Sequence, residues 1–488
     1  MPAHDALPTW AELFKLTLPQ MGLMLCHLII SMTDIWAAGV LGPEVQAAVG
    51  VITQIFAMMM LLTSLIGSGC MATVSQSLGA GLKLRASRYA GLIVMLSACG
   101  GTAVALTAFA AEPLIFSMMG VGSDIRPALT VFFAAYCCQL PFYYVLIMIN
   151  SIFRAHKKVL FPLLTLALMT VANVVGDCGF GLGMAGMPAF GVAGIAWTTF
   201  AAALLGLASN IALAVGLGVL SRVSFAPWRW CRRAMPYLFR VGVPAAAGQI
   251  IMQAGSLATL AIVSALPSGS TPALAGMSLG SRVHSFLMFP LGAFSMSMAI
   301  LGGHLLGAGR TEALFAFGRK TAFATGAALL APSLLLWIFR GQAAALFSDD
   351  AEVIGQASLF LMFSCLGGPL SGITGILHGV FAGAGATSLS CRIGAVTSWA
   401  VGIPHAWLTG IWLGWGPGGI YASGFAAQVA GAAWTLLLFQ RKKWIAFGMR
   451  RRQDSPVNPP SGRTSNEKEN ICIPQGKPQP YPGPEKIS

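Results

Sequence analysis

Two acidic residues stand where acids are costly. Of the fifteen Asp and Glu residues in the chain, only Asp34 and Asp177 fall inside long apolar runs, Leu28-Ile-Ile-Ser-Met-Thr-Asp34 and Thr170-Val-Ala-Asn-Val-Val-Gly-Asp177. A carboxylate taken out of water must pair, bind a cation or accept a proton. Each is therefore a candidate to load and unload H+ or Na+. Asn173 precedes Asp177 by four residues, which places both on one helix face. An amide beside an acid can donate to the carboxylate or accept from the protonated form. Two plainer readings stand alongside: Asp34 as a rim aspartate already in outside water, and Asp177 with Asn173 as a polar clamp between helices.

The other polar intrusions are more ambiguous. His27 lies seven residues before Asp34 on the same stripe, roughly 10 Å away at 1.5 Å per residue; it is either a proton relay or a packing histidine. Arg282 either pairs across a cleft or bonds to carbonyls, with His284 beside it, and His378 and His405 stand alone. Twenty-three methionines, Met58-Met59-Met60 among them, supply side chains that repack around differently shaped ligands as readily as they fill a core. No GxxxxGK[ST], HExxH or GxSxG motif is present, and no Cys/His spacing suggests a metal site. An enzyme is not expected, nor any cofactor beyond a coupling ion. Without an ATP-binding module, transport must draw on an ion gradient or run downhill.

The elements that position these residues follow from composition. The 488 residues are 56% hydrophobic and 9% charged, where soluble domains carry about 25% charge. That excludes an ordinary soluble domain, and collagen-like, disordered and disulfide-scaffold chains too. The net charge of +14 sits on no polar domain, so no nucleic-acid partner is expected. Twelve runs are long enough to cross a bilayer: 16–40, 47–77, 89–111, 128–150, 160–182, 191–218, 241–266, 273–305, 321–340, 356–380, 393–414 and 419–440. Their loops alternate in charge. Lys83, Arg85, Arg88, Arg154, Lys157, Lys158, Arg222, Arg229, Arg232, Arg233, Arg240, Arg310, Arg319, Lys320, Arg392, Arg441, Lys442 and Lys443 gather on one side, and acids dominate the other. The positive-inside rule then puts both termini in the cytoplasm. Residues 1–15 read as an interfacial segment with no cleaved signal, 219–240 as a cytoplasmic loop between two lobes, and 441–488 as a basic stretch followed by a disordered tail.

The chain repeats itself. Leu78-Gly-Ala-Gly81 recurs as Leu306-Gly-Ala-Gly309, Pro141 as Pro369 and Phe153 as Phe381, each 228 residues on, while Pro19 recurs as Pro244 at 225. Six spans per repeat make an N-lobe over 16–218 and a C-lobe over 241–440 that enter the membrane in the same direction. The relating axis then runs along the membrane normal, as in transporters with parallel repeats.

Leu18-Pro-Gln-Met with Met32-Thr-Asp34 and Gly39-Val-Leu-Gly42, Gln76-Ser-Leu-Gly-Ala-Gly81, Asn173-Val-Val-Gly-Asp177 and Gly191-Val-Ala-Gly-Ile-Ala-Trp-Thr-Thr199 together resemble the multidrug and toxic compound extrusion (MATE) family, over about residues 8–440. The resemblance implies an all-α, twelve-helix, V-shaped exporter that exchanges a drug for H+ or Na+ without a cofactor. On its DinF-like branch Asp34, Asn173, Asp177 and Thr199 would form the cation site, and protonation would bend the first span near Pro19. The NorM-like pattern is not met: Gln249 and Gln253 stand where a glutamate is expected in span 7, and Ser371 near the expected acid of span 10. Coupling through the N-lobe is therefore expected. His27, Gln249, Gln253 and Arg282 are candidates for the substrate cavity or a relay. Partners would be amphipathic, cationic drugs or toxins and membrane lipids, for a monomer in a bacterial inner membrane. The alternative is a lipid-linked oligosaccharide flippase of the same superfamily, against which twelve spans and few intramembrane cations count; a membrane enzyme or receptor is a distant third.

Overall fold

A backbone in hydrocarbon must satisfy its own hydrogen bonds, which leaves helices or a closed barrel. The computed structural model describes residues 7–449, and every regular element among them is helical. The order is α1 (Trp10–Leu41), α2 (Pro43–Met59), α3 (Leu61–Gly79), α4 (Lys83–Ala110), α5 (Glu112–Met118), α6 (Arg126–Ala155), α7 (Leu160–Gly176) and α8 (Val192–Gly216). The second half continues with α9 (Trp228–Ser264), α10 (Ser270–Gly307), α11 (Thr311–Ile338), α12 (Arg340–Ala345), α13 (Ala351–Ala384), α14 (Thr387–Ala395), α15 (Ile403–Trp407) and α16 (Gly416–Gln440).

Ten of these helices are long and apolar enough to span singly. The second run is a broken span, α2 and α3 meeting at a bend of 42°. The eleventh run is not one α-helix: α14 and α15 alternate with π-helical turns at Val396–Gly402 and Leu408–Trp412. The boundaries move too. Residues 10–15 are the first turns of α1, started by Thr9, whose hydroxyl accepts from the Glu12 amide at 3.2 Å. The stretch 219–240 is only partly loop, because α9 begins at Trp228. The tail beyond 449 lies outside the described residues.

The repeat is visible in the backbone. Gly81 and Gly309 close α3 and α10 with φ of +77° and +79°, a conformation that glycine adopts at no steric cost. The closing bonds match: Gly81 to Leu78 and Gly309 to Leu306, both 3.0 Å. These two helix ends cross. A Cβ on Gly79 would lie 2.1 Å from the His304 carbonyl oxygen, and one on Gly307 2.1 Å from that of Gln76. Gln76 and His304 are themselves 228 apart, so each contact is the other's mate about a pseudo-two-fold axis between the halves.

That crossing marks the closed end. The largest apolar core joins both halves there, from Leu13, Ile152 and Phe153 to Met298, Phe381 and Phe439. Toward the other end the cores separate, one around Val49, Phe132 and Ile195 and one around Val263, Ala406 and Ile420. The halves thus share a core at their Arg- and Lys-rich end and diverge away from it.

Candidate functional site

The outer part of α1 and the end of α7 bring the two acids together. The Asp34 carboxyl faces the Asp177 carboxyl and the Asn173 amide. Asp177 and Asn173 have no accessible surface and Asp34 is 8% accessible, which removes the rim-aspartate reading. Asn173 Nδ2 donates to Thr199 Oγ1 at 3.1 Å, and Thr199 in turn donates to the Ile195 carbonyl at 3.0 Å. Asp34 Oδ1, Asp177 Oδ2 and Asn173 Oδ1 have no hydrogen-bond partner. A finished polar clamp would leave none of these buried oxygens without a donor.

Local sequence explains how the site closes. At Asp177 the helix widens into a π turn that runs to Gly181, with the Leu182 amide reaching back to the Asp177 carbonyl at 3.0 Å. Gly176 and Gly181 let α8 press against this turn, since a Cβ on Gly176 would stand 2.7 Å from that of Thr198 and one on Gly181 2.8 Å from Ile195 Cγ1. As a result Thr198, not Thr199, reaches the acid: its hydroxyl donates to Asp177 Oδ1 at 2.7 Å. Tyr136 and Tyr143 were not legible as site residues. They lie seven apart on α6, close to Asp34, with Tyr136 close to Asp177 as well, and Phe56 of α2 packs on both rings, at 4.9 and 5.5 Å. The available signal was the i, i+7 pair of phenols in an apolar run, which reads as core until a partner for the hydroxyls is sought.

Pro19 sits inside α1, where its missing N–H leaves one helix bond unmade. Thr17 Oγ1 and Gln20 Nε2 flank it, and both reach Ser297 Oγ on α10, at 2.9 and 2.7 Å. The helix is therefore fastened to the other half on either side of its weakest link. His27 lies accessible on α1 with Arg154 as its charged neighbour, and no hydrogen bond joins it to Asp34 among the described residues. Gln249 and Gln253 on α9 and Arg282 on α10 are accessible, and no hydrogen bond or ion pair joins them to the acids among the described residues. His284 Nε2 and His405 Nδ1 lack partners, and His378 lies 3.4 Å from Thr435.

The second half holds its own cavity, of about 210 Å³, lined among others by Met252, Thr259, Ser398, Gly402, Tyr421 and Ser423. At the 225 offset of the two prolines Asp34 falls on Thr259 and Thr198 on Ser423, while the matching contacts of Gly181 with Ile195 and of Gly410 with Ile420 set the end of α7 at an offset of 229. Thr259 and Ser423 line that cavity together with Ser398 and Gly402 of a π turn. Two of its hydroxyl protons are engaged on their own helices, Thr259 with Gly255 O at 3.0 Å and Ser423 with Ile420 O at 2.6 Å, while Ser398 donates to Met252 Sδ at 3.5 Å and Tyr421 to Ala273 O at 2.8 Å. No charged side chain lines it. Among the described residues no group of three His, Cys, Asp or Glu side chains gathers to hold a metal ion.

Comparison with known proteins follows this geometry. The MatE family model matches residues 19–178 and 244–408, one stretch in each half. An uncharacterized transporter of Bacillus subtilis, YisQ, is 25% identical, with 90% of this chain and 96% of the relative aligned. A probable multidrug resistance protein NorM of Thermotoga maritima is 21% identical over 91% of this chain and 95% of its own. The crystal structure of the Vibrio cholerae MATE transporter VcmN in its bent form superposes with a TM-score of 0.82 at 20% identity, covering 90% and 98% of the two chains. An outward-facing MATE transporter gives a TM-score of 0.77.

Proposed function

The chain belongs to the MatE family of transporters, and from that premise we propose that it exports amphipathic, cationic organic compounds in exchange for H+ by alternating access. It is a multi-pass membrane transporter, not an enzyme. The observation that carries the proposed coupling is the buried Asp34–Asp177 pair with unpartnered oxygens. Two carboxylates facing each other away from water cannot both stay charged without a proton or cation between them. Asn173, Thr199 and Thr198 assist, and Na+ at Asp34 and Asp177 is the competing choice of ion.

In this reading the closed end is cytoplasmic, as the positive-inside rule requires, so the divergent end opens outward and both termini face the cytoplasm of a bacterial inner membrane. Proton arrival from outside fills the site. Because Pro19 lies between two contacts to Ser297, a change at Asp34 can bend α1 and release its hold on α10. Drug and proton then compete for one conformation, which is the condition for exchange. The multidrug relatives favour this reading over the flippase.

Proteoliposomes driven separately by a pH gradient and by a Na+ gradient test it, with a fluorescent lipophilic cation as cargo. Transport under the pH gradient alone, lost in Asp34→Asn and in Asp177→Asn, is the expected result. Transport under the Na+ gradient alone would replace the ion, and full activity in both variants would overturn the site.

A further inference from the structure

The cationic residues at the closed end are not used alike. Lys157 pairs with Glu12 at 2.6 Å and Lys442 with Glu312 at 2.6 Å. Arg85 donates to Ser77 at 3.0 Å and Arg154 to Ser151 at 2.7 Å. Arg319 lies over the Phe315 ring and Lys320 over Trp10, at 5.7 and 5.9 Å. Four of these contacts join different elements, while those of Arg154 and Arg319 stay within their own helix. By contrast Arg229, Arg232 and Arg233 on the first turns of α9 are exposed and have no hydrogen bond or ion pair among the described residues. Arg240 adds only a ring contact, 5.8 Å from Phe447.

Their spacing is the second observation. Positions 229, 232, 233 and 240 fall within an arc of about 100° on a helix of 3.6 residues per turn, opposite the buried Cys231, Ala234, Leu238 and Val241. Topology selection counts positive charges near a span and does not ask that they share a face. The stripe is also held in place. The preceding turn is fastened to α4 by Ser224 to Ser87, 2.7 Å, and Trp230 packs edge-on against Tyr89 at 5.1 Å. Beside it Val223, Phe225 and Trp228 expose more than half of their surface. Guanidinium forks next to exposed apolar and indole groups match a phosphodiester surface above acyl chains. The chain's own tail does not complement it: residues 450–488 hold seven Lys and Arg against four Asp and Glu.

We propose that the arginine face of α9, with Arg222 and the apolar side chains of the preceding turn, binds anionic phospholipid headgroups in the leaflet at the closed end. This does not depend on which ion or compound the protein carries. Bound headgroups would hold the entry of α9 at the membrane surface, at the point where the second half begins.

Native mass spectrometry of the full chain in detergent, titrated with phosphatidylglycerol or phosphatidylcholine of equal acyl chains, tests this. The wild type is expected to retain phosphatidylglycerol preferentially, and Arg229→Gln/Arg232→Gln/Arg233→Gln to retain it about tenfold less or weaker still. Replacing the same three by lysine should keep most of the preference, which also guards against misfolding. A control triple, Lys83→Gln/Arg441→Gln/Lys443→Gln, removes as many exposed charges from the same end and should match the wild type. Equal loss in the control would overturn the proposal in favour of a general positive field. Equal retention of both lipids by the wild type, or displacement by millimolar inorganic phosphate, would overturn it as well.

Discussion

The first half places Asp34, Asn173, Asp177 and Thr198 around one point, and the second half gathers Thr259, Ser398, Gly402 and Ser423 around a neutral cavity. Both sites lie where a π turn interrupts a helix, and both use small residues to let neighbours approach. The scaffold is shared while the ionisable chemistry stands on one side only. A buried acid carries a large desolvation cost, and under the proposed exchange a single cleft opened and closed by one motion needs only one half to hold the ion. The Thr259 and Ser423 hydroxyls of the neutral cavity have already given their protons to the backbone of their own helices.

The comparison breaks most visibly at the acids. Asp34→Asn or Asp177→Asn should reduce gradient-driven efflux to the level of empty liposomes, because an amide cannot exchange a proton. Thr259→Asp in the Asp34→Asn background should not restore it, since the second half lacks a facing acid. Efflux recovered by Thr259→Asp would mean that either half can couple.

A test of the shared scaffold comes next. Gly79→Ala and Gly307→Ala each push a methyl toward a carbonyl oxygen at 2.1 Å. Overpacking of this kind costs about 1–3 kcal/mol, a 5- to 150-fold loss in the preference for the closed end. Spin labels at Lys83→Cys and Arg441→Cys read that distance directly. Because the two glycines are mates, the two shifts should agree. A large effect from one alone would deny the pseudo-two-fold contact.

Thr198 is a smaller lever. Thr198→Val removes the donor to Asp177 Oδ1, a bond of about 1.5–3 kcal/mol where the acceptor is charged and less where it is not. Efflux should fall roughly fivefold and recover in Thr198→Ser. If serine does no better than valine, the methyl and not the hydroxyl is what matters.

How far these features were legible differs by kind. The helical spans and the repeat followed from apolar runs and loop charge, because lipid forces one solution on the backbone, although ten or eleven of the twelve expected runs form spans by length and composition among the described residues. Asp34 and Asp177 were legible because an acid in such a run has few innocent explanations. Thr198 was not, since two adjacent threonines differ only in which way a helix face turns, and the π turn at Asp177 with Gly176 decides that. Tyr136 and Tyr143 were hidden among apolar neighbours. The eleventh span was drawn as an ordinary helix because π winding has the same composition as α. The arginine stripe reads as topology charge until the fold shows four arginines sharing one exposed helix face beside exposed apolar side chains.

The smallest expected effect is in the neutral cavity. Ser423→Ala and Thr259→Val each remove a hydroxyl whose proton is satisfied on its own helix. No buried partner is left unpaired, so the change should stay within about 0.5 kcal/mol, near a twofold difference in efflux. Stability in detergent should be equally unmoved. Read beside Thr198→Val, the mate of Ser423→Ala by the repeat, this pair isolates what the acid adds: the same hydroxyl deletion matters where a carboxylate waits for it and is nearly silent where none does. Equal losses at the two positions would show that the hydroxyls serve the cargo, and that the two halves differ less than their charges suggest.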